Sequence, residues 1–95
     1  MENSKNYKLF ILLTNNLIAA QEIERESGII KLIFPAFVQK RKDFDGYHFE
    51  LVPFTERGLT LYETSLLGEV TLPEEMLVPY EHFVQEVSSS LKRRS

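Results

Sequence analysis

The chain has no cysteine, so it can form no disulfide and no thiolate metal site. It has no tryptophan and only four glycines. No glycine-rich phosphate loop appears among them. A Gly-x-Ser-x-Gly elbow is also absent. Its two histidines, His48 and His82, stand far apart with no partner cluster around either, so the ordinary reading is a pair of surface or core residues rather than ligands or bases. The sequence thus offers no catalytic residue, no metal site and no cofactor motif, and predicts that the protein is not an enzyme. Long apolar runs are missing too. Leu9 to Leu13 and Ile29 to Val38 are shorter than, or interrupted before, the ~18 residues of a membrane span. The polar start, Met1 to Lys8, leads into no long apolar stretch with a cleavage site, which predicts a cytoplasmic protein without a membrane partner.

Positive charge is scarce. The net charge is −3, and from Leu9 to Leu91 six basic residues face thirteen acidic ones, a net of −7. The remaining basic residues, Lys5, Lys8, Lys92, Arg93 and Arg94, lie near the ends. An acidic body with basic tails argues against a general nucleic-acid binder. The length of 95 residues allows one domain with a thin margin of stability, and small domains without disulfides or metals often gain stability by association.

What is present is β-pattern. Lys8 to Thr14 and Leu17 to Arg25 read as a hairpin around Asn15-Asn16, since Asn tolerates the positive φ of a tight turn. Glu26-Ser27-Gly28 reads as a second turn. Ile29 to Lys40 is rich in β-branched and aromatic residues, and Pro35 within it implies a bulge, bend or edge. Arg41 to Gly46 reads as a charged loop closed by Asp45-Gly46. Tyr47, Phe49 and Leu51 alternate with polar residues as in a half-buried strand, bent at Pro53 and resumed through Leu59 and Leu61. Glu63-Thr64-Ser65 is a short turn and Leu66 to Leu72 a final strand.

Composition then changes. Pro73-Glu74-Glu75 resembles a first helical turn, and Tyr80, Phe83, Val84, Val87 and Leu91 form an amphipathic stripe. Pro79 predicts a break and restart, and Ser88-Ser89-Ser90 with Lys92 to Ser95 predict fraying. The expected fold is mostly β: a small, five-stranded, SH3-like bent barrel with a C-terminal amphipathic helix. Residues 1–7 are expected to form a polar N-terminal segment, 8–72 the barrel, 73–91 the helical segment and 92–95 a basic tail.

The order resembles the Sm-like (LSm/Hfq-type) family over roughly Lys8 to Leu72, and most nearly the short Sm-like proteins of phages. The resemblance rests on Leu13-Thr14-Asn15 ending strand one, Pro35-Ala36-Phe37-Val38 in strand three, Phe49-Glu50-Leu51-Val52-Pro53-Phe54 in strand four, the short turn into an apolar strand five, and the helix after the barrel. It implies a cyclic homo-oligomer of about five to seven subunits, joined by strand five (Leu66, Leu67, Val70, Leu72) pairing with strand four of a neighbour. It also implies RNA handling with weak sequence preference, in a host cytoplasm if the origin is a phage, or an assembly module without RNA. The Asp-x-x-x-Asn pattern of the family is absent around Arg25 to Gly28, and Ile-Arg-Gly and the Lys-His pair are absent around Tyr62 to Ser65. Those turns, which the family places at a pore, carry Glu24, Glu26 and Glu63, which repel phosphate. The resemblance therefore implies the ring more than a uridine site.

One stretch carries binding chemistry. Lys40, Arg41 and Lys42 with the aromatic Phe44, Tyr47 and Phe49 match a phosphate-and-stacking patch for single-stranded RNA; the alternative is a solvated loop with its rings turned to the core. Lys92-Arg93-Arg94 has the composition of a nucleic-acid tether, or of a solubilising end. Asp43 with Asp45 lacks the rest of a calcium loop, because the position of its bidentate Glu holds Val52.

Overall fold

The computed structural model describes residues 7–54 and 57–94, with the backbone alone for 90–94. The expectations for residues 1–6 and for Ser95 lie outside the described residues. Six strands and one helix follow in order: β1 (Tyr7–Leu12), β2 (Leu17–Glu26), β3 (Ile29–Asp43), β4 (Gly46–Pro53), β5 (Gly58–Tyr62), a one-turn 3-10 helix (Glu63–Ser65), β6 (Leu66–Thr71) and α1 (Glu74–Arg94). All pairings are antiparallel, in the order β4-β3-β2-β1-β6, with β5 also on β3.

The turns follow the local chemistry. Asn15 takes φ 72°, and the Leu12 carbonyl accepts from the Asn15 N–H at 2.8 Å. Ser27 and Gly28, at φ 53° and 80°, close a two-residue hairpin between Glu26 and Ile29. Successive positive φ values give the turn a twist that matches the flanking strands.

The bend predicted at Pro35 is a bulge. Ala19 pairs with Ala36 and Gln21 with Ile33, so Phe34 and Pro35 together oppose Ala20. Phe34 takes the positive φ, 56°, which is uncommon for a bulky residue. The bulge also switches the outer partner of β3. β5 pairs with Ile29 to Ile33, and β4 pairs with Ala36 to Asp43. The fourth strand of the sequence reading is thus two strands along one edge of β3, which gives six rather than five. The sheet bends but does not close. Among the described residues, β6 has no partner beyond β1, and β4 and β5 have none beyond β3. In place of the expected bent barrel there is an open sheet.

Two apolar clusters flank the sheet. On one face Tyr7, Leu9, Ala19, Val38 and Leu72 are covered by Met76 and Tyr80 of α1. On the other face Phe10, Ile18, Ala20, Ile30, Leu32 and Leu61 pack together, bordered by Phe37 stacked on Phe54 at 4.4 Å. Tyr80 pins the helix. Its ring meets Tyr7 edge-on at 4.9 Å, and its hydroxyl donates to the Phe34 carbonyl at 2.7 Å. That bond satisfies a carbonyl of the bulge, which the sheet ladder leaves outside its regular pairing. Burial, with Tyr7 adding to it, pushes the Tyr80 phenol well above its usual range, so it stays a donor at all ordinary pH.

Three further expectations change. α1 is continuous through Pro79. Proline there removes a single bond, to the Glu75 carbonyl, and Pro79 and Glu75 are both exposed; Met76 and Tyr80 hold the helix on either side. The helical backbone also runs through Ser88-Ser89-Ser90 to Arg94 rather than fraying. Finally, Lys40, Arg41 and Lys42 belong to β3, not to a loop, because the hairpin turns on two residues, Phe44 and Asp45, between the paired Asp43 and Gly46. No described helix is long and apolar enough to cross a membrane.

Candidate functional site

Beyond Val38 the β3–β4 hairpin stands clear of the body: Gln39 to Asp45 and Tyr47 to Phe49 are all exposed. Strand alternation divides its side chains between two faces. Lys42 pairs with Tyr47 and Lys40 with Phe49, so these four share one face. Tyr47 is 63% and Phe49 47% exposed. Lys40 Nζ lies 4.3 Å from the Tyr47 ring centroid and Lys42 Nζ 5.9 Å. Among the described residues neither lysine has a carboxylate within ion-pair distance.

Arg41 is on the other face, paired in register with His48. There Arg41 Nη1 donates to Glu50 Oε2 at 3.1 Å, and His48 Nε2 pairs with Asp43 Oδ2. The predicted Lys40-Arg41-Lys42 cluster is therefore split. Two lysines lie with two aromatic rings, and the arginine lies among acids. Phe44 is fully exposed at the tip, where Asp43 Oδ1 accepts the Asp45 N–H at 2.9 Å.

The edge residues separate in a similar way. Leu67 and Val70 face outward at 65% and 48% exposure. Leu72 is buried within the chain's own core beneath α1, and Leu66 packs half-buried beside Phe10. Leu13, also exposed, lies beside this edge, since its N–H donates to the Ser65 carbonyl at 3.0 Å. At the other end of the sheet Phe49 and Tyr62 are exposed along β4 and β5.

The two acidic turns meet: the Glu63 N–H donates to the Gly28 carbonyl at 2.8 Å. Behind them is a network that sequence reasoning missed. Arg25 reaches Glu69 at 2.6 Å, Glu22 at 2.8 Å and Glu63 at 3.3 Å, while Lys8 reaches Glu22 at 3.1 Å and Glu69 at 3.2 Å. The Arg25 hydrogen bond, against partial burial and aided by Lys8, holds the Glu69 carboxyl below the usual range. Partial burial opposes the charge of Lys8, but its bonds to Glu22 and Glu69 outweigh that and leave its pKa raised. Glu63 is thus tied to Arg25, Glu24 sits 3.9 Å from Lys31, and Glu26 is exposed. Only the strand register brings Lys8, Glu22 and Glu69 together.

Among the described residues no three His, Asp or Glu side chains are grouped to hold a metal ion. No family model matches the chain, and no curated protein matches it.

Proposed function

We propose that the chain is a subunit of a homo-oligomeric ring of the Sm-like kind that handles RNA with weak sequence preference. The observation that carries this reading is the pair of sheet edges left unpaired among the described residues, β6 at one end and β4–β5 at the other. Open edges invite strand pairing unless charge, proline or a covering element blunts them. β6 has Leu67 and Val70 outward, and its one charged side chain, Glu69, is held by Arg25 and Lys8. Because the two edges differ, pairing one with the other is head-to-tail, and a repeated head-to-tail contact closes into a ring when its rotation allows. The contact between the Glu63 and Gly28 turns agrees with the family resemblance, in which those turns lie together.

Light scattering at micromolar concentration tests the reading. The wild type is expected as a closed oligomer and Val70→Lys as a monomer, because the substitution sets an ammonium into the apolar seam. A monomeric wild type overturns it. A second reading, the same assembly without RNA, is favoured by the net −7 between Leu9 and Leu91 and by Glu24, Glu26 and Glu63 at the meeting turns. Absence of RNA binding by the intact oligomer selects it.

A further inference from the structure

We infer that one face of the β3–β4 hairpin, formed by Lys40, Lys42, Tyr47 and Phe49, is a docking strip for unpaired nucleic acid, and that Arg41 takes no part in it. This deepens the RNA-handling part of the proposed function and rests on it. Three observations carry it. The hairpin is exposed on both faces, from Gln39 to Asp45 and from Tyr47 to Phe49, so its rings are not serving as core. The two lysines on this face are without carboxylate partners among the described residues, whereas Arg41 on the opposite face is paired with Glu50. Two half-exposed aromatic rings lie directly across the strand ladder from those lysines.

Side chains two apart on a strand are ~6.8 Å apart, so Lys40 and Lys42 offer two ammoniums along a line, with Tyr47 and Phe49 beside them. An extended single strand meets both requirements at once: a phosphate for each ammonium and a base face for each ring. Stacking tolerates any base, which gives weak sequence preference. A duplex hides its base faces and leaves the rings unused. The fully exposed Phe44 at the tip raises the alternative of an anionic membrane. Asp43 and Asp45 flank it, however, and the body behind it is acidic, so its approach to such a surface is repelled.

The strip's charge sets a number. Two phosphates neutralised per hairpin give a logarithmic salt slope of about −1.4 for a single strand, or about a sevenfold loss of affinity per fourfold rise in salt for each engaged hairpin.

The experiment is fluorescence anisotropy of the full chain with short U-rich and A-rich RNAs and with a duplex control, at low and near-physiological salt, with light scattering on the same samples. The expected result is binding of both single strands over the duplex. Lys40→Ala with Lys42→Ala is expected to abolish binding, and Tyr47→Ala or Phe49→Ala to weaken it about tenfold. Arg41→Ala is expected to bind as wild type. Circular dichroism of each variant reports whether it is folded, and a charge-conserving Lys40→Arg with Lys42→Arg variant is expected to keep the affinity. The strip is overturned if Arg41→Ala weakens binding as much as the lysine pair does, if the duplex binds as well as the single strands, or if an intact oligomer binds no RNA at low salt. A monomer that binds upholds the strip and refutes the ring; a monomer that does not bind refutes both. Sedimentation with phosphatidylserine vesicles that is lost in Phe44→Ala, without RNA binding, assigns the hairpin to membranes instead.

Discussion

Replacing Tyr80 with Phe isolates one hydrogen bond. The tyrosine is fully buried, and its hydroxyl donates to the Phe34 carbonyl at 2.7 Å. The substitution keeps the ring, and with it the edge-on contact with Tyr7, but leaves a bulge carbonyl unsatisfied beneath the helix. Stranding a buried acceptor costs about 1–3 kcal/mol. With a urea dependence of about 1.5 kcal/mol per molar, a loss of about 1.5 kcal/mol lowers the unfolding midpoint by about 1 M. The assay is urea denaturation followed by circular dichroism, at one protein concentration for both forms because association shifts apparent stability. An unchanged slope shows that the folded and unfolded states expose the same surface, so that the midpoint alone reports the bond. A shift below about 0.2 M, well under the range set by that bond, refutes the argument and leaves α1 docked by apolar contact alone.

Pro79→Ala is expected to stabilise, because it restores a backbone bond to the exposed Glu75 carbonyl; with proline costing up to about 3 kcal/mol in a helix, the melting temperature should rise by at least several degrees, and calorimetry checks it. Gly28→Ala is expected to cost about 1–2 kcal/mol in thermal melts, from its φ of +80° and not from crowding, since the nearest side-chain atom, of Glu63, is 3.7 Å from the added carbon. The lowered pKa of Glu69 makes its stabilisation complete above the ordinary 4.5 and lost as pH falls through the lower folded value. Melting curves of Glu69→Gln and wild type should therefore converge in acid and separate towards neutrality. The raised pKa of Lys8 acts in the opposite sense, its contribution being present below 10.5 and lost as the pH rises through the higher folded value.

The turns were legible because their chemistry is local: Asn15 and the Ser27-Gly28 pair name their own backbone conformation. The bend at Pro35 was legible for the same reason, although the strain falls on Phe34, whose φ of 56° departs from the β geometry that a following proline favours. The hairpin face was half legible. Lys40, Arg41 and Lys42 are consecutive, and a run of charges hides the period of two that divides it, so the sequence presents one patch where the strand makes two. The break expected at Pro79 failed because a rule about isolated helices ignores Met76 and Tyr80 anchoring both sides. The Arg25 network was illegible, since Lys8, Glu22 and Glu69 lie on three strands that only the register aligns.

The seat of α1 sets an order of events during synthesis. β1, β2 and β3 are consecutive, so their meander, and with it the pairing of Leu9 with Ala19, can form as soon as the ribosome has released that stretch. The cover for that cluster, Met76 and Tyr80, is made about thirty residues after β3 is complete, some seconds later at ordinary translation rates. For that interval Tyr7, Leu9 and Val38 face water, and β1 lacks its β6 neighbour. A nascent chain with an uncovered apolar face beside an open strand edge is a substrate for holding chaperones, and neighbouring chains on one messenger present the same face to each other.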